Sequence, residues 1–248
     1  MYNFNDKYIV VTGAGKGIGK VIAERFVNEN PSGVAIIDYD KALIEKTAEE
    51  LRKDSIKLLA LHCDISKEDM VKETFETIIK EFGRIDVLVN NAGITKDVIF
   101  HKMTPEDMHR VMDVNFFGTY NCIYNAVPAM REQGYGRIIN ISSTSSYGNP
   151  GQANYSASKA AIEGMSRTLA KELGRKGITV NCILPGYIDT EMMRAIPADM
   201  LERNIAATPL KRLGDPSEVA ALVAFLASDE ASYVSGTSII CSGASVVH

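Results

Sequence analysis

A tyrosine and a lysine stand four positions apart, at Tyr155 and Lys159, inside a stretch with helical character. On a helix this spacing places both side chains on one face, one turn apart. A tyrosine with the ordinary pKa of about 10 is protonated at neutral pH, and a nearby ammonium group favours its phenolate. Such a pair suits the proton transfer that accompanies hydride transfer at a carbonyl carbon. Because the same spacing is common on solvated helix faces, the pair alone does not establish this chemistry.

Glycines cluster directly after the first β-branched run, in the T-G-A-G-K-G-I-G segment at residues 12–19. Glycine lets the backbone turn sharply and approach a pyrophosphate without a Cβ in the way. The free N–H groups of the helix that follows attract the same anion. The strand–loop–helix context favours this interpretation over a simple turn. The spacing departs from G-x-x-x-x-G-K-[ST], so a P-loop ATPase or GTPase is disfavoured.

The second β-branched run ends in Asp38, nineteen residues beyond Gly19. In a dinucleotide-binding fold, an acidic residue about 20 positions after the glycine loop hydrogen-bonds the adenosine ribose hydroxyls. A turn aspartate at a strand end is the alternative interpretation. Paired with the glycine loop, Asp38 favours a dinucleotide cofactor.

Short β-branched runs alternate with longer amphipathic stretches along the chain. The predicted strands are residues 8–12, 34–38, 58–62, 87–90, 137–142, 179–183 and 237–241. The predicted helices are residues 17–28, 42–53, 67–82, 105–131, 153–175 and 216–227. This alternation predicts an α/β fold, a Rossmann-type doubly wound parallel sheet of about seven strands with helices on both faces.

The series continues without a linker, charge block or repeat, so residues 1–248 are expected to form a single dinucleotide-binding and catalytic domain. Residues 191–213 mix Met, Pro and polar residues without clean periodicity, and we expect a substrate-binding flap there.

Composition disfavours several other classes of protein. The net charge of -4, with scattered basic residues, argues against a nucleic-acid binder. The longest apolar run, residues 219–227, is far shorter than the roughly 20 residues of a membrane span. The start of the chain lacks the pattern of a secretion signal, so a cytoplasmic protein is expected. The 4 cysteines and 4 histidines show no metal-ligand spacing, which predicts no metal site and no disulfides.

These motifs, taken together, resemble those of the short-chain dehydrogenase/reductase family. Its T-G-x-x-x-G-x-G loop corresponds to residues 12–19, and its N-N-A-G stretch corresponds to residues 90–93. Its P-G-x-[IV]-x-T segment, which holds the nicotinamide carboxamide, is similar to residues 185–190. The resemblance extends in order over essentially the whole chain. Within the family, residues 91–97 and 151–155 are most similar to bacterial 3-oxoacyl-[acyl-carrier-protein] reductases.

The resemblance implies a catalytic role for four residues. Tyr155 would donate and accept the proton, and Lys159 would lower its pKa and bind the ribose hydroxyls. Asn115, in the V-N-F-F-G segment, would hold a water in the proton relay. The family also places a serine at the end of the fifth strand. Counting back thirteen residues from the tyrosine selects Ser142, whereas aligning the strand selects Ser143; because loops tolerate deletion better than strands, we predict Ser143.

The resemblance also implies the contacts of a nicotinamide cofactor. The expected contact residues are Gly13, Gly15, Lys16, Gly17, Ile18, Gly19, Asp38, Asp64, Ile65, Asn91, Ala92, Gly93, Tyr155, Lys159, Pro185, Gly186, Ile188 and Thr190. Among these, Asp64 and Ile65 would meet the adenine ring. We predict that NAD is preferred, because the carboxylate of Asp38 would repel the 2′-phosphate of NADP. Lys16 favours NADP, so NADP stays possible, but position 39 is Tyr39 rather than the arginine of many NADP enzymes.

The expected activity is NAD(P)-dependent interconversion of a ketone and a secondary alcohol, with reduction of a 3-oxoacyl thioester as the first choice. A dehydrogenase of a free secondary alcohol, such as a hydroxysteroid or polyol, is the alternative. A catalytically silent NAD(P)-sensing regulator would be expected to lose the tyrosine or the lysine, and a Rossmann-type methyltransferase would need neither. An acyl carrier protein is a possible partner, with Lys176 as the better match to a docking residue. Small residues in helices 105–131 and 153–175 predict a homotetramer.

Overall fold

Alternate residues of the first strand are buried on opposite faces of the sheet. In the computed structural model, which describes residues 2–194 and 196–247, Ile9 and Val11 belong to one buried cluster together with Phe26. Val10, between them, belongs to a second cluster, together with Phe75. Because side chains alternate along a strand, this pattern requires a sheet that is covered on both faces.

The described part of the chain contains one sheet of seven parallel strands in the order β3-β2-β1-β4-β5-β6-β7. The strands are β1 (Tyr8–Thr12), β2 (Gly33–Asp38), β3 (Lys57–His62), β4 (Val87–Asn90), β5 (Gly136–Ile141), β6 (Ile178–Pro185) and β7 (Ser238–Cys241). The helices are α1 (Gly17–Asn28), α2 (Lys41–Leu51), α3 (Glu68–Phe82), α4 (Pro105–Met112), α5 (Gly118–Gln133), α6 (Ala153–Leu173), α7 (Glu191–Arg194), α8 (Ala198–Ala207) and α9 (Pro216–Ala227). The predicted doubly wound α/β fold is confirmed.

The order of the strands reverses between β1 and β4. Helices α1, α2 and α9 contribute to the buried cluster on one face of the sheet, and α3, α5 and α6 contribute to the cluster on the other. The chain therefore leaves the carboxyl ends of β1 and β4 toward opposite faces, which opens a crevice between them. In open α/β sheets this is the place where ligands bind.

The single helix predicted for residues 105–131 is interrupted. A π-helical turn at Asp113–Phe117 separates α4 from α5. A π turn widens the helix by one residue, which changes the direction of the side chains that follow it. Within this turn the carbonyl of Asn115 accepts a hydrogen bond from the Thr119 hydroxyl at 2.7 Å, so a side chain satisfies this carbonyl. Hydrophobic periodicity does not reveal such a turn, because the chain stays helical on both sides of it.

The predicted flap at residues 191–213 contains α7 and α8, and Ala195 within it lies outside the described residues. Backbone hydrogen bonds join the two ends of the segment. The amide of Asp189 donates to the Gly214 carbonyl at 2.8 Å, and the amide of Gly214 donates to the Tyr187 carbonyl at 2.9 Å. The segment thus leaves and re-enters the fold at one point. Among the described helices, none has the length and apolarity needed to cross a membrane.

Candidate active site

The turn between β1 and α1 depends on glycine. Gly13 and Gly17 have φ angles of +63° and +57°, in the left-handed region that favours glycine. A Cβ on Gly13 would lie 2.7 Å from the Cα of Ala92, so the loop and the N-N-A-G segment approach at backbone distance. A Cβ on Gly19 would collide with the Gly13 carbonyl, so α1 also begins directly against the loop. Side chains at these positions would separate the two segments.

Thr12 and Asn91 hold these segments together. The Thr12 hydroxyl accepts hydrogen bonds from the amides of Asn91 and Ala92 at 3.1 and 3.2 Å. The Asn91 side-chain amide donates to the carbonyls of Thr12 and Gly13 at 3.1 and 3.0 Å. The path of the glycine loop is therefore set by side chains from two strand ends.

The first turn of α1 fits the pyrophosphate of a dinucleotide. No side chain caps this helix at Lys16, so its first N–H groups face the crevice. A Cβ on Gly17 would point into open space, with the Thr190 methyl 4.0 Å away as its nearest neighbour. Uncapped amides beside a gap at a positive helix terminus form a cradle for an anion.

Asp38 is fixed beside this cradle. One of its carboxylate oxygens accepts a hydrogen bond from the amide of Gly15 at 2.9 Å, and the other accepts from the amide of Asp40 at 3.0 Å. The Thr47 hydroxyl donates to the carbonyl of Gly15 at 2.8 Å. Gly15 is thus hydrogen-bonded through both its amide and its carbonyl. The bond to its amide holds the Asp38 carboxylate at the rim of the crevice.

A cleft of about 1390 Å³ runs from Asp38 to the flap. Most of the predicted site residues line it: Gly13, Lys16, Gly17, Ile18, Asp38, Asp64, Ile65, Asn91, Ala92, Gly93, Ser143, Tyr155, Lys159, Pro185, Gly186, Ile188 and Thr190. The remaining predicted residues, Gly15, Gly19 and Asn115, lie behind its wall. The structure thus gathers residues from seven separate segments into one continuous cavity.

The two candidate serines have different partners. The Ser143 side chain lies close enough to the Tyr155 phenol to act on its pKa, which it lowers. Ser142 is 2% exposed, and its hydroxyl hydrogen-bonds the Glu163 carboxylate at 2.9 Å and the Lys159 carbonyl at 3.1 Å. The geometry therefore pairs Ser143 with the tyrosine and leaves Ser142 in the packing between β5 and α6.

Lys159 lies below the tyrosine ring, one turn along α6. Its ammonium nitrogen is 5.5 Å from the centre of the Tyr155 ring and donates to the Ile141 carbonyl at 2.8 Å. The residue is 3% exposed, and this burial lowers the pKa of Lys159 to about 8.

The pKa of Tyr155 is raised, which is the opposite of the sequence-based expectation. Burial is the main cause, and the nearby carboxylate of Asp97 adds to it, whereas the hydrogen bond from Ser143 opposes the rise in pKa. The expectation considered only the charge of Lys159. In this structure the loss of water around the phenol is the leading cause, and the charge of Lys159 is not among the causes of the change in pKa.

Asn115 supports the site from behind. It is completely buried, and its side-chain oxygen accepts from the amide of Ile94 at 2.8 Å. Its side-chain nitrogen donates to the Ile94 carbonyl and to the Ser158 hydroxyl, each at 3.0 Å. A Cβ on Gly93 would lie 3.1 Å from the Asn115 oxygen and 3.4 Å from the Lys159 nitrogen, so glycine lets this loop lie against both residues. The role of Asn115 in holding a water stays a prediction.

Sequence reasoning missed part of the cleft. Thr12 is the first residue of the glycine motif, and its hydroxyl could have been assigned from that position. The side of the cleft facing the flap is lined by Met193, Ile196, Met200 and Asn204. No periodicity marks these residues, because only the folding of the flap over the sheet brings them to the cleft.

Taken together, an anion cradle, a carboxylate at its rim and a tyrosine–lysine pair in one cleft define a nicotinamide-dependent oxidoreductase. Comparison with known proteins agrees. A family model described as enoyl-(acyl carrier protein) reductase matches residues 13–243. The chain belongs to the short-chain dehydrogenase/reductase family, as its motifs predicted.

Several relatives match over nearly their whole length. The 3-oxoacyl-[acyl-carrier-protein] reductase of Staphylococcus epidermidis is 40% identical over 96% of this chain and 98% of its own. The protein of the same name from Thermotoga maritima is 41% identical over 97% of this chain and 98% of its own. The acetoacetyl-CoA reductase of Cupriavidus necator is 38% identical over 94% of this chain and 95% of its own.

The buried ammonium of Lys159 should lower the stability of the fold. Because its pKa falls from 10.5 to about 8 on folding, the penalty is complete below pH 8 and disappears as pH rises toward 10.5. Lys159→Met is therefore expected to raise the free energy of unfolding by about 2 kcal/mol at pH 7, after the lost hydrogen bond is subtracted. Most of this gain should vanish at pH 10. Urea unfolding across that range measures it, with the exposed Lys176→Met as control. A variant no more stable than wild type at pH 7 would contradict the assignment.

Proposed function

We propose that this protein reduces the ketone of a 3-oxoacyl thioester to a secondary alcohol with a nicotinamide cofactor. The observation that carries the proposal is that Ser143, Tyr155 and Lys159 line one cleft, with Ser143 beside the Tyr155 phenol and Lys159 one turn away along α6. Two hydroxyl groups at one point can both donate to a single carbonyl oxygen. This arrangement orients a ketone and stabilises the charge that develops on its oxygen.

When bound in the cleft, a reduced nicotinamide would supply the hydride for the carbonyl carbon. In the same step the Tyr155 hydroxyl transfers its proton to the carbonyl oxygen, which completes the alcohol. Burial raises the pKa of Tyr155, so its phenol is protonated at neutral pH, the form that reduction requires. Ser143 orients the ketone, and Lys159 holds a positive charge below the ring while the phenolate forms.

The flap supports a substrate with an apolar chain. Met193, Ile196 and Met200 of the flap line the same cleft as Tyr155. Flexible methionine side chains adapt to apolar groups of different shape. The names of the relatives, which describe 3-oxoacyl and acetoacetyl thioester reductases, support the same substrate class.

A substrate panel tests the proposed activity. With NADH or NADPH, a 3-oxoacyl thioester should be reduced faster than free ketones, and hydroxysteroids and polyols should be oxidised slowly in the reverse direction. Faster turnover of a steroid or polyol would overturn the substrate class.

Tyr155→Phe keeps the ring and should lower turnover by about 100- to 10,000-fold, because the variant has no proton to transfer. A variant that retains a tenth of the wild-type rate would remove Tyr155 from proton transfer.

The two serines provide a matched pair of variants. Ser143→Ala should lower turnover by about 10- to 100-fold, because its hydroxyl faces the cleft. Ser142→Ala should retain most of the turnover, but should lower the free energy of unfolding by about 1 kcal/mol, because the buried Glu163 loses a hydrogen-bond donor. Steady-state rates and urea unfolding of both variants check this. The reverse pattern would make Ser142 the residue that acts with Tyr155.

The position of Asp38 supports a preference for NAD. Its carboxylate is held at the rim by Gly15, where the 2′-phosphate of NADP would bring two further negative charges. The positive charge of Lys16 would favour the 2′-phosphate instead. Its side chain is 67% exposed, however, and its ammonium lies 3.9 Å from the carboxylate of Glu191 in the flap. Tyr39 is 71% exposed and brings no positive charge to the rim.

Wild type should therefore prefer NADH over NADPH in kcat/KM by about tenfold or more, which corresponds to about 1.4 kcal/mol. Asp38→Ser should shift this ratio toward NADPH by a similar factor. Asp40→Ser removes the same charge two residues away, and serine can still cap α2, so it should leave the ratio within about twofold. A wild type that prefers NADPH, or a ratio that Asp38→Ser does not move, would show that the carboxylate does not select the cofactor.

An exposed aromatic face, formed by the last residue of the π turn and the first turns of α5, supports the proposed homotetramer. Phe117, Tyr120 and Tyr124 are 49%, 45% and 62% exposed, and the two tyrosine rings stack at 5.8 Å. Adjacent exposed rings of this kind are enriched in protein interfaces.

Lys176, the possible docking residue for a carrier protein, follows the far end of the 21-residue α6, about 30 Å from Tyr155. Antiparallel packing of α6 across a two-fold axis would bring the Lys176 of a second copy nearer. The cytoplasmic location stays a prediction.

Light scattering at micromolar concentration should give a mass well above the 27.1 kDa of one chain, close to four copies. Replacing both tyrosines of the aromatic face, Tyr120→Glu with Tyr124→Glu, should lower the mass, because charges would be buried in the contact. A wild type with the mass of one chain would contradict the assembly.

A further inference from the structure

The residue immediately before Tyr155 is a completely buried asparagine. The side-chain oxygen of Asn154 accepts a hydrogen bond from the amide of Tyr155 at 2.7 Å. Its side-chain nitrogen donates to the Lys96 carbonyl at 3.0 Å and to the Asp107 carbonyl at 3.2 Å. One side chain therefore joins the first turn of α6 to the loop after β4 and to α4.

The loop after β4, residues 94–98, is held at both ends and is called the bridge loop below. At its start, both the amide and the carbonyl of Ile94 bond the Asn115 side chain. At its end, the amide of Val98 donates to the Gly151 carbonyl at 2.8 Å. Between them, Asn154 holds the carbonyl of Lys96. The bridge loop thus connects the π turn that carries Asn115 with the segment that leads into Tyr155.

We propose that Asn154 is a positioning residue that sets the place of Tyr155 relative to the bridge loop and Asn115. This inference rests on the proposed function, because it concerns the geometry of proton transfer by Tyr155. The Tyr155 amide is in the first turn of α6, where it has no partner within the helix. Asn154 supplies that partner and attaches it to two other segments. A displacement of about 1 Å at a reacting group can cost about 100-fold in rate.

Hydrogen exchange tests the anchoring without relying on activity. In Asn154→Ala, the amides of residues 94–98 and 153–156 should exchange at least about tenfold faster than in wild type. The matched control is Asn181→Ala. Asn181 lies on β6 and is also fully buried. Its side chain donates to the Val234 carbonyl at 2.8 Å and accepts from the Thr237 amide at 3.3 Å. The control should leave exchange in both segments unchanged. Unchanged exchange in Asn154→Ala would overturn the anchoring.

Kinetics test the positioning. In Asn154→Ala, kcat should fall by about tenfold or more, while the Kd for NADH, measured by fluorescence, stays within about threefold. Asn181→Ala should lose a comparable amount in Tm but keep its kcat. Asn154→Asp retains the acceptor for the Tyr155 amide and removes both donors, so it should also lose kcat, with exchange rising only in residues 94–98. If kcat is retained although exchange rises, the residue is merely structural. Absence of turnover in wild type would count against the proposed function instead, and the exchange arm would still decide whether Asn154 anchors the bridge loop.

Discussion

The hydrogen bonds between Thr12 and Asn91 resolve a problem that the fold creates at its ligand-binding edge. The pairing of β1 with β4 ends at Val11 and Val89, where the chains diverge to opposite faces of the sheet. Beyond that point the amides of Asn91 and Ala92 have no strand to receive them, and buried amides without partners are costly. The hydroxyl of Thr12 accepts both, and the Asn91 side chain returns two bonds to the glycine loop. The crevice can stay open because side-chain hydrogen bonds of Thr12 and Asn91 replace the backbone hydrogen bonds that further pairing of β1 with β4 would make.

The same solution recurs around the rest of the cleft. Asn115 bonds both backbone groups of Ile94, and Asn154 bonds one amide and two carbonyls. An asparagine side chain both donates and accepts, so it can take the place of a backbone segment where no regular structure continues. Loops held in this way have backbone groups that are satisfied by side chains rather than by a strand or helix. Because these loops are fixed by hydrogen bonds, they limit the positions that Tyr155 and Lys159 can adopt beside them.

Electrostatics in the cleft follow from burial more than from pairing. The pKa of Lys159 is lowered and that of Tyr155 is raised, and in both cases the loss of water is the leading cause. Burial favours the neutral form of each side chain. For the tyrosine this keeps the proton that ketone reduction consumes. For the lysine it reduces stability, which the hydrogen bond to the Ile141 carbonyl offsets in part. The site therefore keeps a buried cation without which the fold would be more stable.

Local sequence patterns were enough to predict the alternation of strands and helices, the glycine turn and the spacing of Tyr155 and Lys159 on one helix. These features depend on residues close together in the chain, where periodicity and backbone freedom act directly. The bounds of β1 and α1 were predicted correctly for the same reason, as was the Rossmann-type sheet.

Only the folded chain shows that Ser143 acts on the pKa of Tyr155 while Ser142 bonds Glu163, how Asn115 and Asn154 bond the bridge loop, and which residues of the flap line the cleft. It also decided the direction of the Tyr155 pKa, because desolvation depends on everything packed around a group rather than on one neighbour. Contacts between residues 12 and 91, or 96 and 154, join positions far apart along the chain. No local pattern encodes them, since they arise only when the sheet brings the ends of its strands to one edge.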